Sequence, residues 1–107
     1  MLVVMPFLDR EADIVLANLD LCEKWRSGHA HVCLLAYERG TRSVQAIRAM
    51  AQRCFSAVAL FEYDKAPDPK WPQGPNWAWQ STARHIESTF KDSWFWWESD
   101  AVPIAAE

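Results

Sequence analysis

Residues 31–37 read HVCLLAY, and this run decides the fold class because polar residues do not alternate along it. A strand with one face in water shows alternation with a period of two, whereas a strand covered on both faces is apolar throughout. Sheets covered on both faces are typically parallel, with helices that cross over between strands. The run therefore predicts an inner strand of an α/β protein.

The segments on either side of this run have the three-and-four spacing of amphipathic helices. Residues 10–26 and 42–54 each place apolar side chains along one face, with Asp9 as the candidate N-cap of the first helix. Residues 2–7 (LVVMPF) and 57–63 (AVALFEY) have the length and composition of strands. The order strand, helix, strand, helix, strand favours right-handed crossovers in a parallel sheet.

The C-terminal part continues the alternation after a loop. Residues 65–75 hold four prolines and Gly74, which predicts a loop that is long for a compact domain. Asn76 can cap a third helix, and residues 93–97 (SWFWW) predict a fourth strand. We expect one domain over residues 1–107, an α/β three-layer open sheet of mainly parallel strands.

Composition excludes several classes of protein. Half of the residues are hydrophobic and 23% are charged, which is typical of a globular chain. No apolar run approaches the ~20 residues of a membrane span, and the apolar start meets Asp9 too soon for a signal peptide, so we expect a cytoplasmic protein. The net charge of -3 without a basic cluster argues against nucleic acid as a partner. Three cysteines among apolar neighbours predict buried free thiols.

Acidic residues follow each predicted strand. Asp9, Glu38, Asp64 and the pair Glu98 and Asp100 stand where strands end, and ligands of open parallel sheets bind outside the carboxyl ends of the strands. Converging carboxylates require a cation, and oxygen ligands suit Mg²⁺ or Mn²⁺. The alternative is that polar residues follow strands only because the chain surfaces there.

A candidate phosphate-binding segment and a group of tryptophans each have two interpretations. The three glycines form no glycine-rich phosphate motif, so residues 73–76 (QGPN) are the candidate segment to present free backbone N–H groups to a phosphate, or they are an ordinary capped loop. The tryptophans of residues 94–97 suit both faces of a central strand. Trp71, Trp77 and Trp79 either pack against the domain or stack on a base or sugar.

Residues 94–104 (WFWWESDAVPI) resemble the DxD region of nucleotide-sugar glycosyltransferases with the GT-A fold. In that family an apolar strand runs into two acids separated by one residue, followed by a short apolar stretch and proline. Residues 2–11 (LVVMPFLDRE) look like the family's first strand and nucleotide-binding turn, and residues 71–79 (WPQGPNWAW) are similar to the loop and helix before the DxD strand.

The resemblance implies binding of a nucleotide-diphosphate sugar. Asp100, and less directly Glu98, would hold Mn²⁺ or Mg²⁺ against the diphosphate, although the first acid is Glu rather than Asp. The nucleotide-binding residues that it implies, together with the strand-end pattern, are Pro6, Asp9, Glu38, Asp64 and Asn76.

The resemblance also sets an expectation about activity and assembly. Family members bind the acceptor through a second half downstream of the acidic motif, so we expect this chain to bind nucleotide but to transfer little sugar by itself. A non-catalytic interaction module derived from the same fold is the alternative. Limited cover of the sheet predicts a homo-oligomer, built from the fourth strand, the third helix and residues 101–106, with a monomer as the alternative.

Overall fold

The predicted strands and helices are present in a computed structural model that describes residues 2–25, 30–90 and 93–97. The elements, in chain order, are β1 (Leu2–Phe7), a 3₁₀ turn (Asp9–Glu11), α1 (Ala12–Trp25), β2 (Val32–Glu38), α2 (Val44–Cys54), β3 (Ala57–Tyr63), α3 (Gln73–Thr89) and β4 (Trp94–Trp96). The predicted α/β class, with strands and helices alternating, is confirmed.

The strands form one open sheet in the order β3-β2-β1-β4, and every neighbouring pair is parallel. Leu2 pairs with Val32 on one side and with Trp94 on the other, and Val32 pairs in turn with Ala57. Because all four strands run the same way, their carboxyl ends lie along one edge of the sheet. The expectation of a parallel sheet is therefore confirmed for the described strands.

The helices cover the two faces unequally. From β1 to β3 the chain moves steadily in one direction, whereas the connection after β3 returns past β2 and β1 to reach β4. Right-handed crossovers in opposite directions place their helices on opposite faces. Accordingly α1 and α2 pack on one face and α3 packs on the other, which gives three layers.

Strand alternation divides the core into two clusters. Val3 and Met5 of β1 face α1 and α2, whereas Leu2 and Val4 face α3. The same split occurs in β2, which explains why its sequence is apolar throughout. The larger cluster contains all three cysteines, which are free and buried as predicted. Burial raises the pKa of Cys33, so this thiol stays protonated.

Two helix starts differ from the sequence prediction. The helix α3 begins at Gln73 rather than at a capping Asn76, because the N–H of Asn76 already donates to the carbonyl of Pro72 at 3.1 Å. Pro75 suits this first turn, where an N–H needs no helical partner. Asp9 does not cap α1. It is the first residue of the 3₁₀ turn, after Leu8.

The aromatic strand β4 lies at the edge of the described sheet rather than at its centre, which corrects the prediction. Trp94 and Trp96 are half-buried on the α3 face, and Trp97 is buried in the larger cluster. The tryptophans therefore do pack on both faces, as expected. Among the described residues, no helix is long and apolar enough to cross a membrane.

Candidate functional site at the carboxyl ends of the strands

A cleft of about 890 Å³ lies at the carboxyl ends of the strands. Its walls come from the segments after β1, β2 and β3, from the first turns of α3, and from Trp96 of β4. The chain reverses its direction across the sheet between β1 and β4, so the helices diverge to opposite faces there. A crevice at such a reversal is where open parallel sheets bind ligands.

Asp9 lies in the cleft wall, but its carboxylate is occupied by the start of α2. Oδ1 accepts the backbone N–H groups of Ser43 at 2.8 Å and Arg42 at 3.1 Å, and the Arg42 side chain lies 3.5 Å from Oδ2. Interaction with Ser43, through its hydroxyl and its backbone, lowers the pKa of Asp9 below the usual value. Asp9 thus joins the turn after β1 to the N-terminus of α2.

Glu38 and Tyr63 form the floor of the cleft. They are direct partners in the β2–β3 register, and alternation places both on the α3 face of the sheet. Tyr63 is only 6% exposed, and its hydroxyl makes no hydrogen bond to another described residue. Burial, followed by the charges of Glu38 and Glu11, raises the pKa of Tyr63 to about 12. A neutral phenol and two carboxylates therefore lie close together here.

Pro6 also lines the cleft, at the end of β1 and beyond the last pair that β1 makes with β4. Asp64 does not line it. The Asp64 carboxylate pairs with Arg39 at 2.9 Å on the surface, and the Asp64 carbonyl accepts the indole N–H of Trp77 at 2.8 Å. Of the predicted strand-end residues, the structure brings Pro6, Asp9 and Glu38 together and leaves Asp64 outside.

Asn76 reaches the cleft from the first turn of α3. The expectation that residues 73–76 present free N–H groups is not met at residues 74–76. The N–H of Gly74 donates to the carbonyl of Lys70 at 3.0 Å, the N–H of Asn76 is occupied as described above, and Pro75 has none. The alternative interpretation, an ordinary helix start, fits these contacts.

The three tryptophans around the loop behave differently. Trp77 is half-buried and packs through its bond to Asp64, whereas Trp71 and Trp79 line the cleft with 82% and 51% of their surfaces exposed. Packing, the first alternative, thus holds for Trp77 but is wrong for Trp71 and Trp79.

The described residues contain no group of three or more His, Cys, Asp or Glu side chains arranged to hold a metal ion. The predicted ligands Glu98 and Asp100 lie outside the described residues, so the metal site stays a prediction. Within the cleft, Asp9 is poorly suited to join such a site because backbone N–H groups and Arg42 already occupy its carboxylate.

Sequence reasoning missed Glu11 and Tyr63 as cleft residues. Tyr63 is the last residue of the β3 run, and its position at the carboxyl end of a strand could have indicated that it lines the cleft. Glu11 stands two residues after Asp9, but only the 3₁₀ turn brings it to the cleft, where it also accepts the N–H of Leu8 at 2.8 Å.

Comparison with known proteins adds no relative to this picture: no protein family, curated protein or solved structure matches the chain.

Proposed function

We propose that this protein is a glycosyltransferase-like domain that binds a nucleotide-diphosphate sugar in the strand-end cleft. The observation that carries the proposal is the position of the cleft, outside the carboxyl ends of four parallel strands and at the reversal between β1 and β4. The acidic motif of residues 98–100 begins two positions after the last residue of β4, and β4 contributes Trp96 to the same cleft.

The floor of the cleft suits the nucleoside. Glu38 is an acceptor for N–H groups of a base or hydroxyls of a ribose, and the neutral Tyr63 hydroxyl beside it is both a donor and an acceptor. Asn76, on α3, would contact a sugar rather than the nucleoside. Asp9 acts indirectly in this proposal, because it fixes the turn after β1 against the start of α2.

The diphosphate requires positive charge, which the cleft floor does not supply. A divalent cation, Mn²⁺ or Mg²⁺, held by Asp100 and Glu98 would offset the charge of the diphosphate. Arg10 and Lys65 in the cleft wall are further cations within the described part of the chain.

Calorimetry with UDP and GDP, each with and without Mn²⁺, tests the proposal. We expect binding that depends on Mn²⁺, weakened at least about tenfold by Glu38→Gln, through the loss of a charged hydrogen-bond acceptor, and by Asp100→Asn. Glu87→Gln, the same substitution at an exposed position of α3 that does not line the cleft, is the matched control. Absence of heat in every combination, from a folded sample, would refute nucleotide binding.

We also propose that the protein associates with itself through its α3 face. Among the described elements, α3 alone covers that side, and Phe61, Trp94 and Trp96 remain half-buried there. A second copy would bury this surface, and a stable interface requires more than about 1,000 Å². Light scattering at micromolar concentrations should give a dimer mass. A monomer mass that is independent of concentration would contradict this proposal.

A further inference from the structure

Two tryptophans stand exposed on the rim of the cleft. Trp71 lies in the loop before α3, and Trp79 lies on the second turn of that helix. A buried indole gains about 25 cal/mol for each Å² removed from water, so exposing two of them forgoes several kcal/mol. Exposed aromatic side chains beside a cavity are typical of a binding surface.

The rim that carries them is held in place by its own contacts. The indole N–H of Trp77 binds the carbonyl of Asp64, which attaches the start of the loop to α3. Gly74 packs so closely on Pro69 that a Cβ atom there would lie 2.6 Å from the Pro69 carbonyl oxygen. The loop also closes on itself where Asp68 accepts the N–H of Lys70. Trp71 is thus exposed on an ordered support.

The polar neighbours of these rings indicate the ligand. Asn76 and Trp79 are three residues apart in α3 and therefore lie on the same face of the helix, where both line the cleft. The side-chain amide of Asn76 beside open indole faces suits a ring with C–H bonds on its face and hydroxyls on its edge.

We propose that Trp71, Trp79 and Asn76 form a carbohydrate subsite that binds one pyranose ring. The inference rests on the proposed function in that the sugar would belong to the nucleotide or to the acceptor. It names the part of the cleft that takes that sugar.

Indole N–H resonances of ¹⁵N-tryptophan-labelled full-length protein test the subsite. The probes are the methyl glycosides of glucose, galactose, mannose and N-acetylglucosamine, then UDP-glucose and GDP-mannose, and finally UDP and GDP alone. We expect at least one glycoside or sugar nucleotide to shift the resonances of Trp71 and Trp79. The Trp77 resonance should stay in place, because its N–H is bound to Asp64. Shifts with free glycosides would assign the subsite to an acceptor, and shifts with sugar nucleotides only would assign it to the donor sugar.

Variants at the rim separate stacking from folding. Trp71→Ala should weaken sugar binding about tenfold, whereas Trp71→Tyr should retain most of it. The melting temperature of both should match the parent, because Trp71 is exposed. Ile14→Ala, which changes an exposed apolar side chain on α1 away from the cleft, is the control.

Two outcomes would overturn the inference. Shifts of Trp71 and Trp79 that UDP or GDP alone reproduce in full would make the rim a nucleobase platform. No shift with any probe, from a sample with the parent melting temperature, would mean that the rim binds neither group. Neither outcome decides the nucleotide proposal, which depends on calorimetry with the Glu38 and Asp100 variants.

Discussion

Asp9 is the residue whose structural role differs most from its predicted one. Its position after β1 suggested a cap for α1 or a ligand for nucleotide, yet its carboxylate serves the N-terminus of α2 on the neighbouring connection. A negative charge at a helix N-terminus is stabilising because the first N–H groups have no partners within the helix. One side chain thereby fixes two of the segments that form the cleft.

We predict that Asp9→Ala lowers the melting temperature at pH 7 and that Asp9→Asn, which keeps an oxygen acceptor, lowers it less. The folded state depresses the pKa of Asp9 below its ordinary 3.8, so the carboxylate stabilises the fold above that pH. This contribution is lost as the pH falls through the lower, folded pKa. Melting curves from pH 7 to about pH 2 should therefore be less acid-sensitive in Asp9→Ala than in the parent. An equal acid sensitivity would contradict the prediction.

Gly74 is required for a close approach rather than for an unusual backbone angle. A Cβ atom there would meet backbone atoms of Pro69, which cannot move aside as the end of a flexible side chain could. We predict that Gly74→Ala costs about 1–3 kcal/mol in the free energy of unfolding, as overpacking does. Urea denaturation measures the cost, with Gln73→Ala, an exposed neighbour in the same helical turn, as the control. A Gly74→Ala variant as stable as this control would show that the loop can shift freely.

The helix α3 covers its face of the sheet with few buried side chains. Thr82, Ala83 and Ile86 are buried, and His85 stacks on Phe61 of β3 with the ring centres 4.1 Å apart and the planes at 8°. Burial lowers the pKa of His85, since a charged imidazole loses water in this position. The neutral form of His85 is therefore the one that supports the packing of α3.

We predict that the stability of the parent falls as the pH drops below about 6.5 and that His85→Phe removes part of this fall. The sign follows because the unfolded state, with a pKa near 6.5, binds a proton before the folded state does. Phenylalanine keeps a ring on Phe61 without a titrating group. The urea midpoints of the parent and of His85→Phe should be most alike near pH 8 and should differ most at about pH 5. Parallel pH profiles of the two proteins would rule out this role for His85.

The two faces of the sheet differ in how completely they are enclosed. Leu34 and Leu35 are neighbours in β2, both fully buried, and they point to opposite faces. Leu35 lies under α1 and α2 in the larger cluster. Leu34 lies under α3 in a smaller cluster that half-buried side chains surround.

We predict that Leu34→Ala and Leu35→Ala each cost about 2–5 kcal/mol in the free energy of unfolding, with the larger loss for Leu35→Ala. The cost of a cavity depends on how far its surroundings relax, and the α3 face has more freedom to close around it. The same residue type in adjacent positions makes the pair its own control. A larger loss for Leu34→Ala, measured by urea denaturation, would reverse this ranking of the faces.

The sequence predicted much of the fold but less of the candidate site. Leu2–Phe7 and Ala57–Tyr63 match the predicted strands, because local hydrophobic runs define them. Pro6, Asp9, Glu38 and Asn76 do line the cleft, since the carboxyl ends of parallel strands must meet at one edge. The role of Glu98 and Asp100 as metal ligands stays a prediction, because both lie outside the described residues.

The sequence by itself determined the alternation of strands and helices and the apolar character of both faces, because these depend on periodicity along the chain. Only the tertiary structure decided the order β3-β2-β1-β4, which places β4 at an edge and the reversal beside β1. It also decided that Asp9 binds the start of α2, that Asp64 pairs with Arg39 and does not itself line the cleft, and that Trp71 stays exposed. These outcomes depend on contacts between residues far apart in sequence, for which local periodicity carries no information.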